Sequence, residues 1–364
     1  ERILPGRYVQ GLLESIVQQR GGEGAPTADD SSTLRNNIQT MVDAMFGGGN
    51  DDVTARRGPD QCHDITLYPE LGIAGGACEG YGLLLDISDP ANPVRIDAVA
   101  DSNFAYWHSA TFSNSGDKVI FTDEWGGGGG PKCRDTDPME WGANAIFTIE
   151  DGKMEFKEYY KMPAPQTVNE NCVAHNGSLI PVPGRDIMVQ SWYQGGISIF
   201  DFTDPSNPVE IAFHDYGPTN GESMSMGGSW SVYWYNGVIV NSEIARGLDL
   251  FKLSPSPFMT ENEIAAANTV QWEYLNAQGQ PKIYWPATFH LAKAYVDQLD
   301  RDGELSDTEI MDIRQSIARA EMANEKKQAG MLEELSMSVS AKAANSSNPT
   351  KVSALAEALK NLAG

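Results

Sequence analysis

The phrase Asp-Ile-Ser-Asp-Pro-Ala-Asn-Pro-Val at 86–94 returns as Asp-Phe-Thr-Asp-Pro-Ser-Asn-Pro-Val at 201–209. Such a repeat constrains the fold more than any composition figure, because each copy is one supersecondary unit that must bury its faces against neighbours. Both copies follow a short apolar run, at 82–85 and 196–200, and both precede another. Strand, Asp-Pro turn, strand is the reading: proline presets φ for the turn and cannot continue a central ladder.

Four stretches align on one another, with His63, His108, His175 and Ser231 at one equivalent position near their starts. A second apolar strand follows at 71–74, 119–122, 187–190 and 238–241. After a glycine-marked turn comes a third, at 82–86, 145–149, 196–201 and 247–251. An outer fourth strand reads at 94–99, 154–160 and 209–213, and an insertion at 126–142 lengthens the second unit. Four strands per unit of about 45 residues is the pattern of a β-propeller blade. A sandwich would not bring equivalent residues back at each unit start. The predicted fold class is mainly β: a propeller of four-stranded blades, at least four of them visible and part of a larger ring, with helical N- and C-terminal appendages.

The blades occupy 61–253. Residues 1–60 read as a helical lead-in or insertion: Tyr8, Leu12, Ile16 and Val17, then Leu34, Ile38, Met41 and Met45, have helical spacing. Polar residues 21–32 separate the two helices and a loop at 47–57 follows them. In the segment 254–323, Thr260 starts a short helix to Ala267 in which Glu263 completes a capping box, and 287–300 and 306–323 form a helix pair. The tail 324–364, rich in Ala, Lys, Glu and Ser with Leu355, Leu359 and Leu362 faintly amphipathic, is expected to be helical or mobile, or docked on a partner, rather than a folded domain.

Fifty acidic against 26 basic residues give a net charge of −24. This excludes nucleic acid and anionic lipid as partners, since both need clustered Lys and Arg. It suits a secreted protein in salt or calcium-rich water, and equally serves solubility. No run of about 18 apolar residues exists, which excludes a membrane-spanning helix. The chain opens on Glu1 with neither initiator Met nor signal peptide, so a processed or truncated form is expected. None of Cys62, Cys78, Cys133 and Cys172 has CxxC spacing, so a zinc knuckle is not indicated. Disulfides Cys62–Cys78 and Cys133–Cys172 are expected, each worth roughly 3 kcal/mol, against the alternative of buried free thiols. Disulfides imply a secreted, periplasmic or cell-surface location.

The blade phrases resemble those of the LVIVD-repeat β-propellers, a family of secreted or surface-associated bacterial proteins. The resemblance is carried by His63 and His175 opening blades, by Gly82-Leu83-Leu84-Leu85-Asp86-Ile87-Ser88-Asp89-Pro90, and by Gly196-Ile197-Ser198-Ile199-Phe200-Asp201. It covers about residues 61–253. It implies a closed ring of more blades than four, and hence that residues 1–60 replace the further blades, or that a protein partner or N-terminal blades missing from this chain supply them. Most members have no assigned reaction, so the resemblance speaks for fold and not for activity. The more distant selenium-binding/methanethiol oxidase propellers are similar in using histidines, there for copper.

His63, His108 and His175 would open the innermost strands of three successive blades and face one channel at one height. Neutral imidazoles converging there could bind copper, zinc or iron. The alternative is that each bonds a neighbouring blade as an architectural device. Asp123, Glu124 and Glu243 recur near the turn after the second strand and could complete a mixed site, or cap turns and pair with Arg246. Asp300, Asp302, Glu304 and Glu309 around Gly303 match a calcium loop in part, with Gln298 in place of the first Asp. The same residues suit a helix hairpin with Ser306 and Glu309 as capping box. Exposed aromatics such as Trp125, Trp141, Trp192, Tyr193, Trp230, Trp234 and Tyr235 could form a binding platform, with packing between blades as the default. The glycines at 126–130 lack the Lys-Ser/Thr ending of a phosphate loop. No Gly-x-Ser-x-Gly elbow and no HExxH motif occurs. Two functions follow: a secreted or periplasmic binding and scaffold propeller in a surface or multi-protein assembly, or a metal-dependent, copper-type oxidoreductase using the histidine ring. The cofactors in question are calcium and a transition metal.

Overall fold

The computed structural model describes residues 6–22, 24–46 and 61–364. Among these, fifteen strands form four antiparallel meanders, each a propeller blade. Blade I comprises β1 (Asp64–Tyr68), β2 (Ile73–Cys78), β3 (Tyr81–Asp86) and β4 (Val94–Val99). Blade II comprises β5 (Trp107–Phe112), β6 (Lys118–Asp123), β7 (Asn144–Glu150) and β8 (Lys153–Tyr160). Blade III comprises β9 (Gly177–Ile180), β10 (Ile187–Ser191), β11 (Ile197–Asp201) and β12 (Val209–His214). Blade IV stops at three strands, β13 (Ser229–Tyr235), β14 (Val238–Glu243) and β15 (Gly247–Phe251).

Strand alternation decides which residues meet between blades. In blade I the register sets Thr66 opposite Gly75 and Gly75 opposite Leu84, so Tyr68, Ala77 and Leu84 share one face. That face packs on Trp107, Phe112 and Phe121 of blade II. Gly82 makes the approach possible: a Cβ there would lie 2.6 Å from the Trp107 ring and 2.9 Å from Phe121. Blades III and IV share a second core, with Met188, Trp192 and Phe200 against Val232, Trp234 and Ile239. Cores thus sit between blades, and the innermost strands β1, β5, β9 and β13 jointly line one cavity of about 60 Å³. This is the channel, with room for a few waters.

Four expectations need correction. Among the described residues blade IV has three of the expected four strands: Pro255 and Pro257 follow β15 and cannot donate to a ladder. The second strand of blade I runs Ile73–Cys78 and not 71–74; residues 69–71 form a 3-10 turn begun by Pro69. The small residues of that strand give almost no apolar signal. In the N-terminal unit α1 (Gly6–Gln19) and α2 (Ala28–Phe46) form as predicted, but α2 starts inside the supposed polar linker. Leu12, Ile16 and Leu34 bury against one another there. The loop at 47–57 and the side chains of Tyr8, Met41 and Met45 lie outside the described residues.

The fourth correction concerns the tail, which is folded. The short helix α3 (Glu261–Ala267) is capped by Thr260 with Glu263 completing the box, as expected. Beyond it, α4 (Phe289–Arg301) and α5 (Asp307–Glu321) pack with α6 (Glu325–Ser340) and α7 (Pro349–Ala363). Leu291, Leu299, Ile313, Leu332, Val352 and Leu359 form their common core. These leucines are spaced for burial against sister helices, which a single-helix reading cannot see.

Residues 271–283 connect the two parts and run beneath the ring. Tyr235 Oη donates to the Trp272 oxygen (3.0 Å) in blade IV. Further on, the Leu67 amide donates to Gln278 O and the Gln280 amide to Leu67 O, both 2.8 Å. The Gln280 side chain then exchanges two bonds with the Phe112 main chain, at 2.9 and 2.8 Å. The helices join the propeller through buried Glu263, which receives Arg185 (2.9 Å) from blade III and Arg301 (2.9 Å) from α4. Both end blades keep half-open apolar sheet faces: Leu248 and Leu250 are 65% and 64% exposed, Ile65 and Leu67 39% and 40%.

Candidate metal centre

His63 and His175 stand just before β1 and β9, each tied to its second strand by its amide: His63 N to Ala77 O (2.9 Å) and His175 N to Ser191 O (3.0 Å). His108 lies in β5 where the register to β6 slips between Trp107 and Ala110. A corresponding slip in β13 lies between Ser229 and Ser231. Bulges of this kind re-aim a side chain. The registers match Ser229 to Trp107, so the fourth ring of the series, equivalent to His108, is Trp230 and not the expected Ser231. Ring centroids run 4.1 Å from His63 to His108, 4.1 Å from His108 to His175 and 4.6 Å from His175 to Trp230. Each blade contributes one ring to the row.

Main-chain carbonyls decide the tautomers. His63 Nδ1 faces the His108 oxygen at 3.3 Å, and His175 Nδ1 faces the Trp230 oxygen. A carbonyl has no proton to give, so each Nδ1 carries the hydrogen and each Nε2 keeps a lone pair. In blade II the same inter-blade bond is made by Ser109 Oγ to His175 O (3.1 Å). His108 Nδ1 is left buried without a hydrogen-bond partner, and so is His175 Nε2. Neighbouring rings of the row, 4.1 Å apart at their centroids, thus each keep one buried nitrogen without a hydrogen-bond partner.

Glu124 supplies the acidic partner. Its Oε2 lies 3.6 Å from His108 Nε2 and its Oε1 3.6 Å from His175 Nε2. One ligand atom each from His63, His108 and Glu124 lie within 4.8 Å of one another. His108 and Glu124 are buried, while His63 is exposed and opens the group to solvent. Burial, helped by the neighbouring His175 and His63, pushes His108 down to about 2. Burial likewise lowers His175 to about 4, with the Trp230 carbonyl working the other way. Both imidazoles are therefore neutral at physiological pH and free to coordinate. Burial raises Glu124, against the Tyr193 hydroxyl and His63, which lower it.

The other candidates go elsewhere. Asp123 is fully buried and accepts the amides of Ala105 (3.0 Å), Tyr106 (2.9 Å) and Gly142 (2.9 Å); burial still pushes it up to about 7. Glu243 accepts the amides of Gly228 (2.6 Å) and Arg246. Both occupy one repeat position, opposite Trp107 and Ser229 respectively, and hold turns together. The calcium-loop carboxylates are not brought together. Asp300 pairs with Arg314, Asp302 with Lys351, and Glu309 with Lys342 and Ser306, while Glu304 accepts from Ser346 and Ser347. Ser306 and Glu309 form the capping box of α5, the hairpin alternative. Both expected disulfides, Cys62–Cys78 and Cys133–Cys172, are present.

Of the supposed aromatic platform, Trp192, Tyr193 and Trp234 are buried, and Trp125 packs at a tilt on Trp141 (4.5 Å) beneath the Lys132 ammonium. Two participants escaped the sequence reading. Tyr193 donates its hydroxyl to Glu124, and Tyr106 lies edge-on to His63 (5.6 Å). The signal for Tyr193 was its repeat position: its main chain bridges to Ser229 as Glu79 bridges to Trp107.

No protein-family model and no curated protein matches the chain. Solved structures do. A computationally designed protein, Ika4, is 9% identical with a TM-score of 0.35, covering 57% of this chain and all of its own. A Lactobacillus plantarum protein is 10% identical (TM-score 0.39), covering 53% of this chain and 54% of its own. A Bacteroides uniformis protein, described as a candidate 6-phosphogluconolactonase, is 13% identical (TM-score 0.38), covering 57% and 54%. The chain thus spans about half the length of these two natural proteins.

Proposed function

We propose that the protein is an exported β-propeller binding module, akin to the LVIVD-repeat propellers, that holds a divalent transition-metal ion between His63, His108 and Glu124. The observation that carries this reading is the convergence of their three ligand atoms within 4.8 Å. Two imidazoles and a carboxylate are a nitrogen and oxygen set suited to zinc, iron or copper rather than calcium. The main-chain bond to His63 Nδ1 is the outer-shell contact that metal-bound histidines use to fix their tautomer. His175 stands beside the group with its own Nε2 facing Glu124. Such an ion would act as a Lewis acid at an open coordination position. The strong negative charge of the chain favours the approach of cations. Two disulfides support export, since they persist in oxidising compartments.

Elemental analysis of protein purified without a histidine tag, followed by zinc calorimetry on the chelator-stripped form, tests the reading. One ion per chain is expected, and its loss in His108→Ala. A wild type that binds neither zinc, iron nor copper ends it.

A scaffold role is favoured separately by the half-open sheet faces of blades I and IV. Further blades, from a partner or from the same polypeptide, are the surfaces that would cover such faces. Concentration-dependent association in sedimentation velocity is expected; a particle monomeric at every concentration speaks against self-association as the means.

A further inference from the structure

We propose that Tyr193 is a positioning residue of the metal centre: its phenol, donating to Glu124 Oε1, holds that carboxylate with Oε2 turned to His108, and the glycine loop at 126–130 holds Tyr193 in place. The inference rests on the metal-binding reading above and assigns a role that reading leaves open. Tyr193 is fully buried and its hydroxyl donates to Glu124. Its φ of 53° lies in the left-handed region, sparsely populated for so bulky a side chain. The main chain is pinned there from blade IV by two bonds with Ser229, at 3.1 and 2.7 Å.

The loop completes the clamp. Gly128, at φ 63°, lies so close to the phenol end of Tyr193 that a Cβ would collide with the ring. Asn171 Nδ2 donates to Gly128 O at 2.9 Å, and the Cys172 amide to Gly130 O at 3.1 Å. The Cys133–Cys172 disulfide ties the far side of the loop. A carboxylate turning about its last bond would otherwise place its oxygens at random; here each faces one imidazole at 3.6 Å. Outer-shell partners of this kind are worth about 10–100-fold in metal affinity.

Tyr193→Phe removes only the hydroxyl. Zinc affinity is expected to fall about 10–100-fold, and the visible spectrum of the cobalt-substituted protein to change, with the melting point of the metal-free protein little altered. Gly128→Ala keeps the hydroxyl but displaces the ring, and weakens zinc in the same direction. Zinc added to the wild type should also produce a saturating tyrosine difference band in the near ultraviolet, a readout that needs no variant. Wild-type affinity with an unchanged cobalt spectrum in Tyr193→Phe overturns the role while leaving the metal site standing, as does zinc binding with no tyrosine band. A wild type that takes up no metal overturns both.

Discussion

His63 Nδ1 lies 3.3 Å from the main-chain oxygen of His108, one blade further along the ring. One contact thereby does two things: it fastens blade I to blade II, and it fixes which nitrogen of His63 can accept a cation. The architectural and the metal-binding readings, alternatives in the sequence, are compatible in the His63 ring, whose Nδ1 makes the inter-blade contact and whose Nε2 stays free for a ligand.

The ligands should therefore separate from their neighbours under substitution. His108→Ala and Glu124→Gln are expected to lower zinc affinity by roughly two orders of magnitude or more, beyond the loss for an outer-shell residue. Asp123→Asn, which disturbs only amide acceptance, should leave the stoichiometry unchanged. Calorimetry on the three variants decides; equal losses in all three would reduce the effect to misfolding.

Gly82→Ala tests the packing between blades I and II. The added methyl falls 2.6 Å from Trp107 and 2.9 Å from Phe121, both fully buried. Overpacking of this kind costs about 1–3 kcal/mol. Urea denaturation should show that loss, and an unaltered midpoint would mean the two blades are not in register as described.

Removing the Cys133–Cys172 bridge should destabilise the protein by about 4 kcal/mol, the chain-entropy value for a loop closed over a separation of 39 residues. A paired Cys133→Ala/Cys172→Ala variant, unfolded in denaturant beside the wild type, measures it. A difference under about 1 kcal/mol would show that the loop keeps its path in the unfolded chain or is strained in the native one.

Acid should loosen the junction between propeller and helices. Hydrogen bonds and charge from Arg301 and Arg185 outweigh burial and hold the Glu263 carboxyl below its ordinary range. A depressed carboxylate contributes stability above the unfolded value, about pH 4.3, and loses it as pH falls through the lower folded value. Stability should drop in that acid window, and Glu263→Gln should remove that part of the dependence. In the variant Arg185 keeps Asp201 at 2.7 Å, so the cost is expected to stay below the roughly 3–5 kcal/mol of a stranded buried charge. A pH profile identical in variant and wild type would rule the contact out as the cause.

The blade repeat was readable because it is written in covalent neighbours: an apolar run, an Asp-Pro turn, another run. The α3 capping box was readable for the same reason, since Thr260 and Glu263 are three residues apart. His63, His108 and His175 could be grouped because repetition converts sequence register into proximity. The role of Trp230 was not, because its letter aligns it with Trp107, whereas the strand register sets Ser229 at the Trp107 position and Trp230 at that of His108. Glu124 was named for its type, but its hydroxyl donor stands 69 residues away. The tail was misjudged for a physical reason too: the faint stripe of α7 becomes a core only once three sister helices are beside it.

The passage of residues 271–283 under the ring makes the propeller a clasped object. Gln280 grips Phe112 across 168 residues, and Leu67 shares two amide bonds with the same stretch. The inner edge of blade I must therefore stay bare until residues 271–283, far along the chain, have been synthesised. Contacts of such long reach are slow to form, so that edge is fastened late.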